Sequence, residues 1–151
     1  MIIEYFTNLI LTNLNTLITL SAVLISWLAY RTQKKTLSIV YYEKKFKVFV
    51  DSQKLYQEYT HGEITKDTFS QFISSMYASR ILFPKSSGVY ELLNSVHASA
   101  ISFNGCNSQI KKVTDIATLE LLHKELNKSR SYLSGFLDEL SKRINSNIEV
   151  Y

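Results

Sequence analysis

Residues 5–30 read YFTNLILTNLNTLITLSAVLISWLAY, twenty-six positions without a charged side chain, and the architecture turns on them. At 1.5 Å per residue a helix of that length crosses a hydrocarbon core of roughly 30 Å with room to tilt. Tyr5 and Phe6 at one end and Trp27 and Tyr30 at the other are placed as interfacial anchors of a single span. A cleaved signal peptide is the rival reading. It needs a basic n-region and a small-x-small cleavage site, whereas Glu4 precedes this run and bulky residues close it.

Charge is distributed to match. Up to Tyr30 the only charged side chain is Glu4, while residues 31–47 hold Arg31, Lys34, Lys35, Lys44, Lys45 and Lys47 against Glu43 alone. From residue 48 onward eleven basic and eleven acidic residues balance, so the excess positive charge resides in the seventeen residues that follow the apolar run, which carry +5 against the −1 of Glu4 for a net +4. A nucleic-acid-binding domain spreads Lys and Arg over a folded face, and no nucleic-acid partner is expected here. The basic cluster is expected instead at the surface of an anionic inner leaflet, where each residue contributes up to about 1 kcal/mol. No Lys or Arg precedes the span, so the positive-inside rule places the N-terminus outside and the C-terminal domain in the cytoplasm of a bacterial cell, with the inner membrane between. The expected organisation is a transmembrane segment over 1–30, a basic juxtamembrane helix over 31–60, and the remainder of a helical bundle over 61–151.

The span is more polar than an anchor requires. Asn8, Thr12, Asn15, Thr19 and Ser26 recur at intervals of 4, 3, 4 and 7, with Ala22 completing the row, so a helix gathers them into one stripe. Thr and Ser hydroxyls can bond back to their own backbone in a plain anchor, but this does not serve the Asn amides. Packing against another copy of the helix serves them, and so does a water-filled lumen lined by several copies. The lipid bilayer and a homo-oligomer are therefore the expected partners, with a cytoplasmic protein docked on a tethered bundle as the alternative.

Beyond the span the periodicities are helical throughout, and no alternating β-branched run is bounded by turn residues. Neither Gly nor Pro occurs before His61 and Gly62, so the first helix is expected to run to about residue 60, with Ile39, Tyr42, Phe46, Phe49, Gln53 and Tyr56 as its core-facing row. Thr65 is an N-cap for a second helix carrying Phe69, Phe72, Ile73, Met76, Tyr77 and Phe83 inward, stopped by Pro84. A third helix from Gly88 buries Leu92, Leu93, Val96, Ala100 and Phe103 and is expected to close at Asn104 and Gly105. A last pattern from Ile110 to Ile144 can restart at Asp115. The predicted class is all-α, an N-terminal transmembrane helix continuing into an antiparallel bundle of about four helices.

Chemistry is absent from the pattern. His61, His97 and His123 stand apart without metal-ligand spacing, Cys106 is alone, and there is no phosphate-binding Gly loop or nucleophile elbow. No metal, no cofactor and no catalytic residue is expected, and the chain is read as non-enzymatic.

RTQKK at 31–35, YYEKKFKVFV at 41–50 and YASRILFPKSSGVYELL at 77–93, behind one N-terminal span, resemble small single-pass bacterial inner-membrane proteins, some of which act in antiphage defence. The layout looks like that of the membrane-pore accessory proteins of type VI-B CRISPR systems, whose helical domain is HEPN-like. That resemblance implies a homo-oligomeric pore that disturbs the membrane. HEPN ribonucleases carry His four to six residues after an Arg, and Arg31, Arg80, Arg130 and Arg143 all lack one, so the resemblance implies at most a degenerate HEPN-like domain.

Overall fold

The computed structural model describes the backbone of residues 2–147 and the side chains of residues 13–147. The fold is all-helical: α1 (Ile2–Thr60), α2 (Lys66–Leu82), α3 (Val89–Ile110), α4 (Ile116–Ser134) and α5 (Phe136–Asn145). A 3₁₀ turn at Lys85–Ser87 joins α2 to α3. The chain divides into two compact units, one up to Val40 and one from Tyr41. The boundary lies within α1.

Local chemistry sets the helix ends. The first helix continues for 59 residues because neither Gly nor Pro interrupts it, and Gly62 ends it in the left-handed region at φ 93°. There the Gly62 N–H donates to the Tyr59 carbonyl at 3.0 Å and the Glu63 N–H to the Glu58 carbonyl at 3.3 Å. Thr65 caps α2 as expected, its hydroxyl accepting from the Thr68 N–H, and Pro84 follows the C-cap Phe83. Asp115 likewise caps α4, accepting from the Thr118 N–H at 2.9 Å and the Thr118 hydroxyl at 2.6 Å. Gly135 then separates α4 from α5, a break that the unbroken apolar spacing of Leu133, Phe136, Leu137 and Leu140 concealed. Helix α3 runs through Asn104 and Gly105 to Ile110 rather than closing there, because both residues are tolerated within it and Asn104 has a tertiary task. Its amide donates to the Ile64 carbonyl at 3.2 Å and accepts from the Ile64 N–H at 3.4 Å, replacing backbone partners that the α1–α2 loop lacks.

In the second unit α3 is the central helix. Val89, Leu93, Val96, Ala100 and Phe103 are fully buried, packed with Phe72 and Met76 of α2, Leu126 and Leu133 of α4, and Phe136, Leu140 and Ile144 of α5. Helix α1 enters this core through Val48 and Leu55. Its expected inward row is displaced. Ile39, Tyr42 and Phe46 are about half exposed at 50%, 51% and 52%, Gln53 is exposed, and Phe49 and Tyr56 lie at the edge of the core. The positions that face inward are Val48, Asp51, Ser52 and Leu55, and the Asp51 carboxylate there accepts the Ser75 hydroxyl of α2. Tyr77, expected inward on α2, is also exposed, because the buried arc of that helix runs through Thr68, Phe72, Ser75, Met76 and Ser79.

Candidate functional site

The first unit supplies the candidate site. Among the described residues one helix is long and apolar enough to cross a membrane, and none of its apolar window is buried. Leu17, Leu20, Val23, Leu24, Ile25 and Trp27 are all more than half exposed. An apolar helix of a soluble protein hides such a face in its core; this one carries its apolar side chains outward.

Polar side chains on the same helix divide into two kinds. The hydroxyls turn back on the backbone: Thr19 Oγ1 donates to the Asn15 carbonyl at 2.8 Å, Ser21 to Leu17 at 2.9 Å, Thr32 to Leu28 at 2.9 Å and Thr36 to Thr32 at 3.0 Å. Each bond spans one helical turn and needs no second chain. The Asn15 side chain is exposed, and its amide has no hydrogen bond among the described residues. Ser26 is exposed on the same face. Asn8 and Thr12, and the anchors Tyr5 and Phe6, lie outside the residues whose side chains are described. Trp27 and Tyr30 are exposed, 55% and 66%, and the Arg31 guanidinium lies over the Trp27 ring at 5.6 Å.

A shallow groove on this unit lies along Ala29, Thr32, Gln33, Thr36 and Leu37. Ala29, Gln33 and Thr36 prolong the row of Asn15, Thr19, Ala22 and Ser26 at steps of 3, 4 and 3, so the small and polar face extends ten residues past Ser26. The spacing carries that signal in the sequence, but the change from uncharged to basic composition at Arg31 masks it. Alternating 3 and 4 steps is the spacing of a helix contact with a shallow left-handed crossing, and small residues let two backbones approach.

The basic residues are not equivalent. Lys34 and Lys35 are exposed in the first unit, and Lys44 in the second. Lys45 is half-buried, donates to the Asn147 carbonyl at 3.1 Å, and holds its ammonium 5.5 Å from the Phe83 ring centroid. Lys47 pairs with Asp51 at 2.9 Å, and the buried Asp51 carboxylate also accepts the Ser75 hydroxyl. Lys45 thus ties α1 to the end of the second unit, while Lys47 pairs within α1 itself.

Titratable groups of the second unit serve its joints. Burial pushes the Glu58 carboxyl up, but hydrogen bonds from the Thr68 hydroxyl at 2.5 Å, the Thr65 N–H at 2.8 Å and the Thr65 hydroxyl, with the charge of Lys54, outweigh it and hold the group below the usual carboxylate range. The Thr118 hydroxyl and N–H likewise hold the Asp115 carboxyl low. Burial raises the Tyr59 phenol, whose hydroxyl donates to the Arg130 carbonyl at 3.1 Å. Of the histidines, His97 stacks on Phe69 at 5.3 Å, while His61 and His123 are exposed; Cys106 is buried. No three His, Cys, Asp or Glu side chains converge on a metal position among the described residues.

No family model matches the chain, and neither a curated protein nor a solved structure shows significant similarity to it. The class supported by the fold is a small all-helical protein with one candidate membrane-spanning helix.

Proposed function

We propose that the protein is a non-enzymatic single-pass membrane protein that self-associates through the Asn15–Thr19–Ala22–Ser26 face of α1 and its continuation at Ala29, Gln33 and Thr36. The observation that carries this reading is the exposed Asn15 amide on the candidate membrane-spanning helix: an amide facing lipid tails leaves its donors and acceptor unmet, and a neighbouring copy or a watered lumen meets them. In its sharpest form the assembly is a pore or depolarising effector of antiphage defence in the bacterial inner membrane, with the bundle in the cytoplasm. The positive-inside arrangement of Arg31, Lys34 and Lys35 and the resemblance to type VI-B accessory proteins support that form.

The test is the double variant Asn15→Leu, Thr19→Leu. Crosslinking in native membranes is expected to yield discrete multimers for the natural chain and mainly monomer for the variant, and depolarisation on overexpression is expected to disappear with them. Unchanged multimers together with unchanged membrane potential sink the proposal. A second reading, a membrane-tethered adaptor, is favoured by one observation: Tyr42 and Phe46 stack with parallel rings 6.4 Å apart on an exposed face of α1. In that case Phe46→Ala abolishes function while the multimers survive.

A further inference from the structure

The sequence 77–93 builds a second feature that the membrane reading leaves unused. Where α2 turns into α3, a cavity of about 340 Å³ opens between Ser79, Arg80 and Phe83 on one side and Lys85, Tyr90 and Glu91 on the other. We propose that this cavity binds a phosphoryl group, and the inference is independent of whether α1 self-associates.

Charge is the first ground. Lys45, Arg80, Lys85 and Arg143 all reach this turn. Arg143 is neutralised, its Nε donating to Glu139 at 2.9 Å while Nη1 donates to the Gly88 carbonyl at 2.5 Å. The other three have no carboxylate within 4.0 Å among the described residues. The Arg80 guanidinium carbon lies 5.6 Å from the Tyr90 ring centroid, and the Lys45 ammonium lies 5.5 Å from that of Phe83. Glu91 lines the cavity yet pairs with neither Arg80 nor Lys85. The cavity lining thus includes two exposed cations that pair with no carboxylate among the described residues, and a guanidinium together with an ammonium is a donor set for phosphoryl oxygens.

Rigidity is the second ground. The hydroxyls of the turn are already committed, Ser79 to the Met76 carbonyl at 2.6 Å and Ser87 to the Pro84 carbonyl at 2.7 Å. Gly88 adopts φ 63° and is held by Arg143 from α5, so the wall does not depend on a ligand to take shape. The backbone of the turn is thus ordered before binding, and the ordering cost falls on the exposed Arg80 and Lys85 side chains. The phosphoryl group can belong to a soluble phosphomonoester or to a phosphodiester lipid headgroup, since both offer anionic non-bridging oxygens to Arg80 and Lys85, three on the monoester and two on the diester.

The test uses the full chain in neutral detergent, with the unfolding midpoint of the bundle followed while inorganic phosphate replaces chloride at constant ionic strength. A parallel arm dopes the micelles with phosphatidylglycerol. A saturable rise is expected in one arm or both, and it names the source; Arg80→Gln with Lys85→Gln is expected to abolish it. The comparison of each protein with itself in chloride removes any change in baseline stability. Glu91→Gln is expected to shift half-saturation to lower ligand by roughly threefold, because it removes a like charge from the cavity wall. A rise of equal size in the double variant, or no saturable rise in either arm, overturns the proposal.

Discussion

Both units place Ser and Thr on helices, and they use them in opposite ways. In the first unit Thr19, Ser21, Thr32 and Thr36 are exposed and bond to a carbonyl one turn back on their own helix. In the second unit Thr68 and Ser75 are buried and reach across to Glu58 and Asp51 on α1. A hydroxyl is neutral to the fold in one setting and a tie between helices in the other. What separates the two is the carboxylate: α1 carries Asp51 and Glu58 beside the second unit's hydroxyls and none beside the first unit's.

The contrast is most directly broken by large-to-small changes. Phe103→Ala, which empties a fully buried site edge-on to Tyr59, is expected to destabilise the bundle by about 3–5 kcal/mol in denaturant titration, whereas Leu17→Ala is expected to leave it within about 0.5 kcal/mol. A comparable loss from Leu17→Ala ends the division into two units. Next in size is Asp51→Ala, expected to cost about 1–3 kcal/mol by stranding the Ser75 hydroxyl. Combined with Ser75→Ala it should cost less than the two single changes together; strict additivity means the pair is not a tie. Gln33→Leu with Thr36→Leu should leave bundle stability untouched yet weaken crosslinked association by roughly threefold per lost contact.

The smallest expected effect is on acid stability. Glu58 and Asp115 are held below their ordinary values of 4.5 and 3.8 in the folded chain. Each therefore contributes stability that is fully present above its unfolded value and is lost as pH falls through its lower, folded one. The bundle should soften below about pH 4.5, and Glu58→Gln should flatten the upper part of that decline; a decline unaltered in the variant assigns it to other groups.

Much of the architecture was legible because its signals are local. Thr65, Asp115, Gly62 and Pro84 act on backbone groups within four residues, and five core positions of α3 follow from spacing alone. The inward face of α1 was not legible. Periodicity reports that a face is apolar and not what covers it, so Tyr42 and Phe46 outweighed the polar Asp51 and Ser52, which are buried. The tasks of Lys45 and Arg143 were hidden for another reason: their partners Asn147 and Gly88 lie 102 and 55 residues away. The cavity residues all fall within the stretch 77–93, but only the turn at Gly88 shows that their charges stay uncancelled.

The Arg143 contact with Gly88 bears on the order of synthesis. Helix α5 is ten residues long, too short to persist alone, and it supplies both the last core side chains and the latch on the turn before α3. A chain made from its N-terminus presents the apolar helix first and the parts that finish the bundle last. For the membrane span proposed above, insertion is then decided while the rest is still unfolded, so a defect in α5 should yield protein that is correctly inserted and wrongly folded.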